Sequence, residues 1–91
     1  MRLDKFLQVT RLVKRRALAQ EVVRAGRVQV AGRTAKPGTE VRSGDVLDMR
    51  LGRRHLVVRV AAVPERARVG QEGLYEVLLD EREAPADDDW G

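Results

Sequence analysis

A chain of 91 residues, 43% hydrophobic and 35% charged, makes one small domain with a modest core and little room for a deep catalytic cavity. The absence of cysteine excludes disulfides and thiolate metal sites and fits a reducing compartment. The net charge of +4 is spread unevenly: ten Arg and Lys stand in residues 1–36 against Asp4 and Glu21, whereas Arg82 faces six acids in residues 80–91.

Residues 2–9 carry Leu3, Phe6 and Leu7 on one face at helical spacing, with Asp4, Lys5 and Gln8 on the other, which predicts a short helix. Residues 10–14 are a connector, with Leu12 and Val13 expected inside the corner. Residues 15–25 are rich in good helix formers, and Leu18, Ala19, Val22 and Val23 make an inward stripe. Gly26 is the expected stop, because glycine enters the left-handed region cheaply. The period then changes from helical to two. RVQVAGRTA puts Val28 and Val30 inward around a turn at Ala31-Gly32. KPG (36–38) and SGD (43–45) read as turns. VLDMRL (46–51), HLVVRVAAV (55–63) and LYEVLL (74–79) read as strands, with a loop over 64–73. Residues 81–91 form an acidic tail, expected to be disordered, after a domain over 1–80. The fold class is therefore α+β: two N-terminal helices packed on a small antiparallel sheet. The first helix is too short to be stable alone, so it must pack.

No run of eighteen apolar residues exists, so no membrane-spanning helix is expected, and no secretory pattern opens the chain; the expected location is the cytoplasm. Catalysis has little support. His55 is the single histidine and reads as a surface strand residue without a partner or pocket. The DDD run at 87–89 lacks the interleaved spacing of a calcium loop, and Asp45 reads as turn chemistry. No pair of glycines has the spacing of a phosphate-cradling loop before a helix. No enzyme activity, metal or cofactor is expected.

The basic segment is different. A strongly basic first third is the asymmetry expected where one face meets a polyanion. On a helical wheel Arg16, Gln20 and Arg24 share the face opposite Leu18 and Val22 and so point at solvent. Arg15 lies in the first turn of that helix, and Arg11, Lys14 and Arg27 flank its two ends. Cations at a helix N-terminus oppose the helix dipole, and an outside anion would relieve that cost. Arg2 and Lys5 add to the patch from the first helix. Arg outnumbers Lys fifteen to three; genomic base composition and the fit of guanidinium forks to phosphates both account for such a bias. Aromatic residues are too few for a single-strand stacking platform, so folded RNA, recognised by shape and phosphate, suits the composition. Arg50, Arg53, Arg54 and Arg59 form a second basic set that the sequence alone does not place.

The run RLDKFL followed by VKRRALAQEVVRAGRVQVAGRTAKPGTEVRSGDVL resembles the S-four type of RNA-binding domain, over roughly residues 2–51. The resemblance implies an αL-type fold that binds structured RNA through its helical face. Within that family the opening MRLDKFL and R-L-V-K-R-R look closest to ribosome quality-control factors, relatives of a fifteen-kilodalton ribosome-associated heat-shock protein. That likeness implies binding to the free large ribosomal subunit obstructed by peptidyl-tRNA, with contacts to rRNA and tRNA. It further implies a tRNA-recruiting partner protein that adds alanine tails, and a monomer with no chemistry of its own. Carried over by position, the RNA-contacting cations are Arg2, Arg15 and Arg16, with Arg11 and Lys14 adjacent; Lys5, Arg24 and Arg27 extend the set. Two departures stand out: Lys14 occupies the place where many members have Ser, and the chain ends in acid where the heat-shock relative has a long basic extension. The alternatives are a heat-shock-type recycling factor, a generic structured-RNA module, the recognition module of an RNA-modifying enzyme, and a domain that binds an acidic protein.

Overall fold

The computed structural model describes residues 1–82. Helix α1 spans Leu3–Val9 and buries Leu3, Phe6 and Leu7 completely, as their spacing requires. The residue at its N-cap, Arg2, makes no side-chain cap bond to the first N–H groups. Backbone carbonyls of the KPGT turn serve instead: Leu3 N donates to Thr39 O at 2.8 Å and Asp4 N to Pro37 O at 3.2 Å. Val41 N donates to Met1 O at 2.9 Å, and Arg2 and Glu40 form a β-bridge, so the first four residues are clamped along residues 37–41. At the other end the Thr10 hydroxyl donates to the Phe6 carbonyl at 2.7 Å, and Arg11 turns the chain with a φ of +59°. Val13 is fully buried in the corner and Leu12 partly so.

Helix α2 spans Arg16–Arg24, one residue shorter at each end than expected, because Arg15 is extended and Ala25 leaves the helix. It closes in a Schellman arrangement: Gly26 N donates to Val23 O and Arg27 N to Val22 O, with Gly26 at a φ of +76°. Ala19, Val22 and Val23 face inward, with Leu18 partly covered.

The sheet follows in the order β2-β1-β3-β4-β5, all antiparallel, with β1 Val28–Val30, β2 Arg33–Thr34, β3 Val46–Leu51, β4 Arg54–Val60 and β5 Tyr75–Arg82. Ala31 and Gly32 both have positive φ, as a two-residue hairpin turn of the twisted type needs. Leu47, Met49, Leu56, Val58 and Val60 alternate onto the face that meets the helices. The opposite face carries Asp48, Arg50, His55 and Arg59. β4 and β5 each start one residue away from expectation, at Arg54 and Tyr75, and their ends differ by more. β4 stops at Val60, before Ala61-Ala62-Val63, where Ala61 and Ala62 instead donate to Leu74 O. β5 runs on past Leu79, so Glu81 and Arg82, expected in the tail, pair with His55 and Arg54. Cross-strand partners on β4, among them Arg54 bound to Asp80, carry it that far. The rest of the expected tail, with the DDD run, lies outside the described residues.

Candidate nucleic-acid interface

Asp4 organises the basic surface. The wheel puts it on the outer face of α1, yet its side chain is 0% exposed. The first turn of α2 lies against that face and closes it off. Oδ1 accepts from Arg2 Nε at 3.2 Å and from the Lys5 N–H at 2.9 Å. Oδ2 accepts from Gln20 Nε2 at 2.8 Å and from Arg16 Nε at 3.4 Å. Burial alone would raise the pKa of this carboxyl; the hydrogen bonds from Gln20, Arg2 and Arg16 outweigh it and hold the group below the usual carboxylate range. Arg16 and Gln20 therefore turn inward from the face that the wheel gave to solvent.

Asp4 also answers the electrostatic problem of α2. That helix has no acidic residue in its first turn and no side-chain cap, while Lys14, Arg15 and Arg16 crowd its positive end. The carboxylate of α1 supplies the missing countercharge. The arginines stay accessible: their side chains are 52% and 44% exposed for Arg2 and Arg16. Each guanidinium gives only its Nε edge to Asp4, and the Nη groups have no partner among the described residues. Two donor forks are thus held in place and open outward. Fixing them in advance reduces the rotamer entropy that binding must remove, about 2 kcal/mol for each free arginine.

Arg2, Lys5 and Arg16 line one open cleft of about 510 Å³, whose far wall includes Glu40 and Glu65. Glu40 is paired to the N-terminal ammonium at 2.9 Å, and that bond holds its carboxyl low. Gly38 passes beneath Arg2: a methyl group there would stand 3.8 Å from the guanidinium carbon. The KPG turn thus supports both the start of α1 and the arginine beside it.

The other expected cations are not all gathered here. Lys14 and Arg15 are exposed at the entry to α2. Arg11 is exposed but leans over the 64–73 loop, where Gly70 N donates to Val9 O at 2.7 Å. Arg24 is exposed in the last turn of α2, and Arg27 lies at the opposite end from Arg16, where its carbonyl accepts from Arg50 N. Sequence reasoning missed Asp4 and Gln20. The signal was present: Asp4 is one of two acids among ten cations, and Gln20 lies one turn after Arg16 on the same face.

The S4 domain profile matches residues 1–47, which hold both helices, the β1–β2 hairpin and every residue of the Asp4 cluster. The chain belongs to the S4 domain family. Proteins named RQC P-site tRNA stabilizing factor are similar over most of their length. The one from Listeria innocua is 47% identical over 83 residues, 90% of each chain. The one from Bacillus subtilis is 40% identical over 90% of this chain and 96% of its own. Heat shock protein 15 of Escherichia coli is 38% identical over 84% of this chain, but only 59% of its own. The trimeric structure of heat shock protein 15 from Vibrio cholerae shares the fold, with a TM-score of 0.75 and 32% identity over 85% of this chain and 80% of that one. Among the described residues no helix is long and apolar enough to cross a membrane.

Proposed function

We propose that this S4 domain protein is a cytoplasmic ribosome quality-control factor. It binds the free large ribosomal subunit obstructed by peptidyl-tRNA and holds that tRNA in place while a tRNA-recruiting partner extends the stalled chain with alanine. It contacts rRNA and tRNA phosphates through the Arg2, Lys5 and Arg16 cleft, with Lys14, Arg15 and Arg11 extending the contact from the entry to α2 and Arg24 and Arg27 adding to it from the other end of that helix. It performs no covalent chemistry. The observation that carries this reading is the pair of arginine forks fixed by one buried carboxylate and open to solvent through their Nη groups. Such forks match phosphate oxygens and suit bidentate contact. The names of the relatives that align over nine-tenths of the chain support the ribosomal setting. The heat-shock reading has a structural neighbour in its favour, but the sequence match to the Escherichia coli heat shock protein leaves about two-fifths of that protein uncovered.

Binding to purified large subunits that carry peptidyl-tRNA, compared with subunits stripped of tRNA, tests the proposal. Tighter binding to the tRNA-bearing subunit is expected, with affinity falling steeply as salt rises. Equal binding to both subunits would remove the tRNA contact from the account.

A further inference from the structure

A second cluster of arginines lies at the far end of α2 from the Asp4 site. The β3–β4 turn carries Arg50, Gly52, Arg53, Arg54 and His55, and these with Glu81 line a small pocket of about 120 Å³ that contains no apolar side chain. Within this pocket two side chains already have acidic partners. Arg54 grips Asp80 through two bonds of 2.9 Å, and His55 Nε2 lies 2.7 Å from Asp48. Arg50 and Arg53 are exposed and have no carboxylate partner among the described residues. Arg27 is drawn in from the end of α2, because Arg50 N donates to its carbonyl at 2.8 Å. Arg24 precedes it in the last helical turn. The exposed cations Arg24, Arg27, Arg50 and Arg53 therefore follow one another from the helix end onto the hairpin. Arg24, where this band starts, stands eight residues along α2 from Arg16, roughly 12 Å at 1.5 Å per residue.

We propose that the β3–β4 hairpin is a second RNA-backbone site, in which Arg50 and Arg53 take phosphates that the Asp4 cleft does not reach. The pocket is small, and no apolar side chain lines it to anchor a protein side chain. Protein hot spots are buried in apolar pockets, whereas phosphate contacts are polar and wet. Exposed arginines without a carboxylate partner suit contact with a phosphate backbone, and Glu81 is the one acidic side chain that lines the pocket beside them. The two sites at opposite ends of α2 then clamp two stretches of one folded RNA. This rests on the reading that the Asp4 cleft binds RNA.

The experiment uses the full chain and a short double-stranded RNA hairpin, with affinity measured by fluorescence anisotropy across a salt series. The variants are Arg50→Ala/Arg53→Ala, Arg53→Glu and Arg16→Ala. Both hairpin positions are exposed and outside the core, so the variants should keep the native circular dichroism spectrum. The double variant is expected to lower the slope of log affinity against log salt by about two and to weaken binding roughly tenfold at low salt. Arg53→Glu should weaken it further. A native slope in the double variant, with Arg16→Ala impaired, would overturn the hairpin site and leave its arginines to an acidic protein surface. Wild-type binding that ignores salt would overturn both sites together.

Discussion

Gln20 of α2 donates a 2.8 Å hydrogen bond to Oδ2 of Asp4 on α1, so the two helices share one buried carboxylate. The bond ties the packing of the helices to the aim of Arg2 and Arg16. Asp4→Asn removes the charge and keeps the shape. The arginines that lose their partner are about half exposed and return to water, so stability should fall by only about 1–2 kcal/mol. RNA affinity should nevertheless drop several-fold, although no cation has been removed. Urea unfolding and a binding titration at fixed salt read the two effects. Native affinity in a folded Asp4→Asn protein would show that the arginines need no such holder.

The same carboxylate sets the response to acid. The folded-state pKa of Asp4 lies below the ordinary value of 3.8 that it takes when unfolded. Its contribution to stability is therefore complete above that unfolded value and is lost as pH falls through the folded one. Asp80, bound by Arg54, shifts in the same direction. Thermal unfolding of the wild type should be flat near neutrality and decline below about pH 4. Asp4→Asn should show a shallower decline. An equally steep decline in the variant would assign acid lability to other carboxylates.

Arg16→Lys separates charge from geometry. Lysine keeps the positive charge but lacks the fork that holds Asp4 by one edge and a phosphate by the other. Its binding should fall closer to Arg16→Ala than to wild type. Arg59→Ala is the matching control, because that guanidinium lies on the outer sheet face and pairs with Glu76. Its loss should leave subunit binding nearly unchanged in the same titration. A lysine that binds like wild type would reduce the role of Arg16 to that of a point charge.

The helical and sheet periods, the Gly26 stop and the Ala31-Gly32 hairpin were legible because each depends on neighbours in sequence. The same local logic put Asp4 in solvent. A wheel for an isolated helix does not contain the turn of α2 that covers it, and Arg16 and Gln20 lie twelve and sixteen residues away. β4 was expected three residues too long for a similar reason. Ala61 and Ala62 are apolar but are claimed by Leu74 O, a partner from across the following loop. β5 was expected too short because Asp80, Glu81 and Arg82 read as solvent residues. They stay in the strand because β4 offers them cross-strand partners, Arg54 and His55 among them. The KPG motif was visible as a turn, while its work in receiving the first N–H groups of α1 appears only once the chain has folded back.

Gly70 tests the support of Arg11. Its φ is +82°, and a methyl group there would approach Arg11 Nε to 3.3 Å. Gly70→Ala should cost about 1–2 kcal/mol from the left-handed backbone alone. It should also displace Arg11, read as a modest loss of RNA affinity beside a lowered Tm. An unchanged Tm would mean that the 64–73 loop relaxes without penalty.

The central claim, that Arg2 and Arg16 dock this protein on the large ribosomal subunit, is tested most directly by sedimentation. Wild type, Arg16→Ala and Arg2→Ala/Arg16→Ala are spun through a gradient with dissociated ribosomal subunits. Wild type is expected to travel with the large subunit, Arg16→Ala to trail, and the double variant to remain at the top. Wild type at the top of the gradient, or a double variant that still travels with the large subunit, would contradict the claim.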